Sequence, residues 1–247
     1  MKILVTLFCI CITNICFASS QYHEFEGVSE LYNIRNLRVL AGFLPQDPVI
    51  IEAGAYKGRD TAKVAQKFPL AHIYAFEPLM DACADLRVAM IPYSNVTIVN
   101  QALDKTSGIK DFFVCHGTHS QYPIFEFHSS LLKPTESAMI HLLGPVEKVS
   151  CISLHDFCRD QQIEKIDMLW LSCEGSEMQV LEGAQTLLNT VSLIYARSQL
   201  YPNRESITLF DELKSFMEKN GFILLSHFYL MNIHGDALFI RKELMSK

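Results

Sequence analysis

The sequence predicts an α/β fold built on a doubly wound, mostly parallel seven-stranded sheet that ends in a C-terminal antiparallel hairpin. Three observations favour this fold. Short apolar runs alternate with helical segments from Val49 onward, a glycine-containing turn follows the first run, and two strand-like segments, Phe222–Tyr229 and Ala237–Arg241, close the chain. Alternating strands and helices are typical of a parallel sheet that helices cover on both faces.

The individual elements follow from the spacing of apolar residues. Buried parallel strands are continuous apolar runs, whereas helices repeat apolar residues every three or four positions. Pro92 ends the second helix, because proline lacks the amide hydrogen that a helix needs. The predicted elements are the strands Val49–Ala53, His72–Phe76, Val96–Val99, Lys110–Cys115, Ile166–Cys173 and Val191–Ala196, the helices Asp60–Lys67, Asp81–Met90, Glu177–Leu188 and Leu209–Lys219, a loop at 116–145 and a turn at Asn232–Asp236.

The first twenty residues are predicted to lie outside the fold. Lys2 precedes the apolar run Ile3–Phe17, and small residues follow it, which is the order of a signal peptide. The run is shorter than the roughly 20 residues of a membrane span, although an uncleaved anchor remains the alternative. We therefore expect a signal peptide or N-terminal anchor at 1–20, one domain at 21–247, and a protein of the secretory pathway that is secreted or membrane-anchored.

Composition excludes several classes of protein. The 247 residues are 49% hydrophobic and carry a net charge of -6, which is typical of a globular domain without a basic surface for nucleic acid. No metal site is expected, because no complete set of ligands accompanies the histidines. The odd number of cysteines after residue 20 and the lack of a C-x-x-C pair favour buried free thiols at Cys83, Cys115, Cys151, Cys158 and Cys173.

A glycine turn and a later carboxylate predict a nucleoside site. Gly54 permits a tight turn after the first strand, and Gly58 lies near the start of the following helix. Glu77 ends the second strand, where a carboxylate of a doubly wound fold accepts two hydrogen bonds from a ribose. A dinucleotide site would need more glycines, whereas Glu52 can meet the cationic end of S-adenosylmethionine. The closing hairpin also favours this cofactor over a nicotinamide.

The sequence resembles the FkbM family of methyltransferases over nearly all of the predicted domain. The segments that carry the resemblance are Glu52–Gly58, Ala75–Pro78, Asn100–Leu103, Ile152–Phe157, Ile166–Glu177 and Val180–Ala184. The resemblance implies a Rossmann-like class I methyltransferase fold and S-adenosylmethionine as cofactor. It also implies an O-methyltransferase that acts on a hydroxyl of a glycan, glycolipid or related small acceptor.

The same resemblance places individual residues in the cofactor site. It puts Gly54 and Gly58 at the methionine, Glu77 at the ribose and Ala102 near the adenine, with Glu174 at the edge of the site. With the residues suggested by the turn itself, the predicted cofactor contacts are Glu52, Gly54, Ala55, Tyr56, Gly58, Glu77, Ala102 and Ser172.

Catalysis requires alignment of the acceptor with the methyl group and a base for its proton. Glu174 and His155 are the predicted catalytic residues, and His128 is a third candidate. The family usually has Asp at the position of Ser172 and often Glu at that of Arg197. These departures support the alternative of a secreted, non-catalytic methyltransferase fold that binds a ligand or partner. The expected partners are a small-molecule or glycan acceptor, no nucleic acid, and a membrane through the N-terminal segment.

Overall fold

The computed structural model describes Leu37 and residues 40–115, 128–138, 144–230 and 234–246. The chain divides into two compact units, Met1–Gly42 and Phe43–Lys247, and the sheet lies in the second. The predicted targeting segment at 1–20 is outside the described residues. Within the described ranges, no helix combines the length and apolar character needed to cross a membrane.

From Val49 to Val99 the described elements alternate in the predicted way, and the strands at Ala102–Asp104 and Val146–Ser153 and the helix at Leu154–Asp160 were not predicted. In chain order, the strands are β1 Val49–Ala53, β2 His72–Phe76, β3 Val96–Val99, β4 Ala102–Asp104, β5 Gly108–Phe113, β6 Val146–Ser153, β7 Met168–Leu171, β8 Leu193–Gln199, β9 Phe222–Leu230 and β10 His234–Arg241. The helices are α1 Arg59–Lys67, α2 Met80–Ala89, α3 Leu154–Asp160, α4 Glu177–Gly183 and α5 Phe210–Lys219, with 3-10 turns at Gln185–Thr190 and Lys242–Ser246.

The main sheet has the order β3-β2-β1-β7-β8-β10-β9 in the described part of the chain. The first five of these strands pair in parallel, and β10 runs antiparallel to both β8 and β9. The predicted doubly wound sheet with its closing antiparallel pair is thus confirmed. The strand order reverses between β1 and β7, and ligands of open α/β sheets bind at the carboxyl ends of the strands beside such a reversal.

The core lies on both sides of the central strands. All four residues of β7 are buried, as are the last four of β1. Strands covered on both faces carry mostly apolar side chains, which explains the nearly continuous apolar runs of the sequence. On one face, α5 packs Phe210, Leu213 and Met217 into the core. Burial of each such side chain contributes about 1.5–3 kcal/mol.

A second sheet was not predicted. The expected strand at Lys110–Cys115 is β5, but β5 joins a separate sheet of order β4-β6-β5 rather than the main sheet. Its partner β6 runs antiparallel to it and pairs Val146 with Phe113. Both strands have an exposed first half, so they lack the continuous apolar run that marks a central strand.

Several predicted boundaries also differ, and two of these differences have a visible cause or consequence. The helix expected to reach Leu188 ends at Gly183 and continues as a 3-10 turn, because Gln185 adopts a left-handed φ of 50°. A side chain at Gly183 would lie 2.4 Å from the Asp104 carbonyl oxygen, so glycine lets α4 approach β4. Strand β10 begins at His234, inside the predicted turn.

Gly54 allows three strand ends to meet. Its φ is +84°, and a Cβ atom there would lie 2.2 Å from the Ser172 carbonyl oxygen after β7. Its amide donates a 3.0 Å hydrogen bond to the Phe76 carbonyl at the end of β2. From the sequence, this glycine was expected to let a ligand approach the backbone. The structure adds a second reason, which is the approach of β7.

We expect Gly54→Ala to lower the free energy of unfolding by about 3 kcal/mol, through the left-handed backbone and the overlap with Ser172. Urea denaturation measures the change. Gly108→Ala is the matched control, because Gly108 also has a positive φ, +143°, but open space around it. That control should lose only about 1 kcal/mol. Equal losses in the two variants would show that the contact with Ser172 is unimportant.

Candidate functional site

A pocket opens at the carboxyl ends of β1, β2 and β7, where the order of the main sheet reverses. Backbone of the glycine turn forms one side of this pocket, and apolar side chains near the second sheet form another. The lining residues that matter below are Gly54, Tyr56, Glu77, Leu79, Ala102, Phe112, Ser129, Leu131, Ser172, Cys173 and Ser176.

Glu77 is held in the pocket by backbone amides. Its Oε2 accepts a 2.8 Å hydrogen bond from the Tyr56 amide, and its Oε1 accepts a 2.9 Å bond from the Leu79 amide. The Asn100 side chain donates to the carbonyl oxygens of Glu77 and Pro78 and so holds the chain after β2. A carboxylate offers about four lone-pair positions, so each oxygen can accept one further bond from a ribose hydroxyl.

Burial changes the acidity of Glu77. The side chain lies largely out of water, and desolvation raises its pKa to about 7 even though the amides of Leu79 and Tyr56 lower it. Binding of hydroxyl donors favours the ionised form, because a carboxylate only accepts hydrogen bonds.

Glu52 is a second buried carboxyl group, but it does not line the pocket. It lies on β1 with 3% of its surface exposed, and its Oε2 has no hydrogen-bond partner in the described part of the chain. Burial raises its pKa to about 8, and the nearby charges of Asp60 and Glu77 add to the rise, while Thr61 opposes it. A cationic ligand would stabilise the ionised form. The contact of Glu52 with the cationic end of S-adenosylmethionine stays a prediction.

The predicted cofactor residues fall into two groups. Five of them line the pocket: Gly54, Tyr56, Glu77, Ala102 and Ser172. The other three, Glu52, Ala55 and Gly58, do not.

Gly58 and Ala55 instead pack against α2. A Cβ atom at Gly58 would lie 2.7 Å from Cδ1 of Leu86, and Ala55 belongs to a buried cluster with Leu86 and Met90. Gly58 precedes α1 in a left-handed conformation with a φ of 86°. These two residues therefore join the helix to the turn, and the cofactor contact expected of them stays a prediction.

Sequence reasoning missed the apolar part of the pocket. Leu79, Phe112 and Leu131 line it beside Ala102, and the first two share a buried cluster with that alanine. Apolar walls of this kind suit a planar adenine base. Phe112 lies within the predicted strand Lys110–Cys115, but neither that prediction nor any local pattern brings Phe112 and Leu131 to the same place.

Glu174 forms a charged cluster just after β7. Its Oε1 accepts a 2.7 Å bond from Nη1 of Arg197, and its Oε2 lies 3.0 Å from Nδ1 of His128. Burial alone would raise the pKa of Glu174, but Arg197 and His128 outweigh burial and hold that pKa well below its usual range. A carboxylate this weakly basic is a poor proton acceptor.

The second predicted catalytic residue, His155, lies elsewhere. It is half-buried on α3, with its Nδ1 atom 3.8 Å from Oδ1 of Asp156, and it does not line the pocket. The structure thus brings Glu174 together with His128 rather than with His155. The catalytic roles assigned to Glu174 and His155 stay predictions.

Cysteines and metal ligands add little to the site. None of the five cysteines forms a disulfide within the described ranges; Cys83, Cys115, Cys151 and Cys158 are buried, and Cys173 is partly exposed at the pocket. Within the described ranges, no group of three or more His, Cys, Asp or Glu side chains could hold a metal ion. Three histidines of the sequence, His116, His119 and His141, lie outside those ranges.

Fold and pocket together define a class of protein. A doubly wound sheet closed by an antiparallel pair, with a glycine turn after β1 and a carboxylate after β2, is the arrangement of class I methyltransferases. The sequence model described as "Methyltransferase FkbM domain" matches residues 52–224, which is more than half of the chain. The chain belongs to the FkbM methyltransferase family, and its cofactor is S-adenosylmethionine.

The chain is also similar to individual known proteins. The 2-O-methyltransferase NoeI of Sinorhizobium fredii is 28% identical over 178 residues, which span 69% of this chain and 72% of NoeI. Among solved structures, the fibrillarin pre-rRNA processing protein of Methanococcus jannaschii has a TM-score of 0.48 at 13% identity, over 80% of this chain and 67% of that one. M. capricolum TrmK in complex with S-adenosylhomocysteine has a TM-score of 0.45 at 12% identity, over 84% and 67%.

We expect Glu77→Ala to weaken S-adenosylmethionine binding about 100-fold, because two hydrogen bonds to a charged group contribute about 3 kcal/mol. Isothermal titration calorimetry measures the Kd. Glu147→Ala, an exposed carboxylate on β6, is the matched control and should bind as the wild type does. An unchanged Kd in a folded Glu77→Ala variant would remove Glu77 from the ribose site.

The raised pKa of Glu52 predicts a pH dependence of stability. Between its ordinary pKa of 4.5 and its folded value of about 8, the folded state binds more protons than the unfolded state. The free energy of unfolding of the cofactor-free protein should therefore fall as pH rises through this window. Glu52→Gln should flatten that slope, which urea denaturation at several pH values measures. A variant as pH-dependent as the wild type would show that Glu52 ionises normally.

Proposed function

We propose that the protein is an O-methyltransferase that transfers the methyl group of S-adenosylmethionine to a hydroxyl of a glycan, glycolipid or related small acceptor. The observation that carries the proposal is the pocket built around Glu77 in a chain of the FkbM methyltransferase family. The relative NoeI is a 2-O-methyltransferase, which supports oxygen as the atom that receives the methyl group.

The residues of the pocket would orient the cofactor. When bound, S-adenosylmethionine supplies a methyl carbon that is already activated for displacement. Glu77 and the Tyr56 amide fix the position of the ribose, and Leu79 and Phe112 exclude water from the base. A positive charge near the end of β1 would favour ionisation of Glu52, whose pKa burial raises to about 8. Such alignment supplies much of the rate, because in-line displacement needs the reacting atoms at near-attack distance.

Polar side chains beyond the pocket suit a hydroxyl-rich acceptor. Arg197 on β8 has a buried Nε atom without a hydrogen-bond partner in the described part of the chain, 3.8 Å from Oδ1 of Asp236 on β10. Next to it, the Ser198 hydroxyl lies 2.7 Å from Nε2 of His227. Guanidinium, carboxylate and hydroxyl groups offer both donors and acceptors, and a sugar needs both.

A second candidate is a non-catalytic protein that retains the cofactor pocket and binds a ligand or partner. The observation that favours it is the ion pair between Glu174 and Arg197, because it neutralises a carboxylate that was predicted to act in catalysis. Ser172 also favours this candidate, because the family usually has Asp at its position.

We also propose that the protein acts in the secretory pathway. The support is the apolar segment at 1–20, and a lumen that contains S-adenosylmethionine would be the compartment required. Sequencing the N-terminus of the mature protein tests this proposal. An N-terminus near Gln21 supports it, whereas cytosolic protein that begins at Met1 would contradict it.

The two candidates differ in turnover. With radiolabelled S-adenosylmethionine, we expect the wild type to methylate members of a panel of nitrophenyl monosaccharides that have a free 2-hydroxyl, but not their 2-deoxy analogues. Transfer that depends on the 2-hydroxyl supports the enzyme. Tight binding of S-adenosylmethionine without any transfer would instead favour the non-catalytic candidate.

A further inference from the structure

His128 and Glu174 form a buried imidazole–carboxylate pair beside the pocket. Nδ1 of His128 lies 3.0 Å from Oε2 of Glu174, and their side chains are 21% and 9% exposed. Each residue is adjacent in the chain to one that lines the pocket, Ser129 for the histidine and Cys173 for the carboxylate. The pair therefore flanks the pocket at the carboxyl end of β7.

The contact determines the tautomer of the imidazole. Because Arg197 keeps Glu174 ionised, the carboxylate can only accept a hydrogen bond. Nδ1 of His128 must then carry the hydrogen of that bond. In the neutral ring, the basic lone pair is consequently on Nε2, and Glu174 stabilises the positive charge that appears when Nε2 gains a proton.

The backbone around His128 is also held in place. Arg204 is 3% exposed, and its Nη2 donates to the His128 carbonyl oxygen. Its Nη1 donates a 2.9 Å bond to the Leu132 carbonyl oxygen. One guanidinium thus fixes the segment that presents the imidazole, as the geometry of a reacting group demands.

Charged groups from several elements face this pair. Glu174 follows β7, Arg197 belongs to β8, and Arg204 lies in the loop after β8. From β10, His234 and Asp236 interact electrostatically with the same cluster. The carboxylate of Glu174 is the group in direct contact with the ring.

We propose that His128 is the general base of methyl transfer and that Glu174 is its positioning residue. In the step, the acceptor oxygen forms a bond to the methyl carbon and the bond from that carbon to sulfur breaks. The hydroxyl proton moves to Nε2 of His128, and S-adenosylhomocysteine leaves with the electron pair of the broken bond. This assignment rests on the proposed function. It also gives Arg197 a role, because its charge keeps Glu174 ionised.

A tautomer measurement tests the arrangement without an acceptor. In the ¹⁵N-labelled full chain, nitrogen chemical shifts should show His128 protonated on Nδ1, and Glu174→Gln should convert it to a mixture of tautomers. Protonation of the neutral ring on Nε2 in the wild type would overturn the proposal.

Kinetics test the chemical role. With the nitrophenyl monosaccharides as acceptors, His128→Gln should lower kcat at least about 100-fold while the Kd for S-adenosylmethionine stays unchanged. Glu174→Gln should lower kcat less and shift the acidic limb of the pH–rate profile. His72→Gln, an exposed histidine at the start of β2, is the matched control and should retain wild-type kcat. If His128→Gln does not fold, His128→Asn replaces it, because its amide can occupy the position of Nδ1.

The outcomes separate the two proposals. A folded His128 variant with wild-type kcat and pH profile would refute the base assignment and leave the methyltransferase intact. A wild type that binds S-adenosylmethionine but transfers no methyl group would contradict the proposed function and the base assignment with it. In that case the tautomer measurement still decides whether Glu174 orients His128.

Discussion

The site depends on one close approach, between Gly54 and the carbonyl of Ser172. No side chain fits between them, so the end of β7 lies directly against the turn after β1. The same turn is tied to β2 by the amide of Gly54, and the amide of Tyr56 reaches Glu77. Three strand ends therefore meet at the reversal of strand order, and the pocket exists because they meet there.

Around this point, similar carboxyl groups acquire opposite properties. Glu52 and Glu77 are buried without a cation, and desolvation raises their pKa values to about 8 and about 7. Glu174 is just as buried, but Arg197 holds its pKa well below the usual range. Glu52 and Glu77 favour ligands that carry a positive charge or that donate hydrogen bonds from hydroxyl groups. The lowered pKa of Glu174 favours its ionised form, which suits the task of orienting His128.

Much of the main sheet could be predicted because its central strands are covered on both faces. Burial on both faces makes the apolar run itself the signal, as in β1 and β7. The second sheet could not be predicted, because β4 has three residues and β5 begins on the surface. In the pocket, the glycine turn and Glu77 were found from their spacing, whereas Leu131 comes from a segment without regular structure.

The sequence by itself determined the family, the cofactor and the parallel sheet, since these depend on local patterns and on motifs in a given order. Only the tertiary structure determined which charged side chains contact each other. Glu174 is 23 residues from Arg197 and 46 from His128 along the chain, and no local pattern encodes either contact. Both contacts of Glu174 form in a buried place, where water screens an ion pair only a little. These contacts determine the acidity of Glu174 and hence its role in the site.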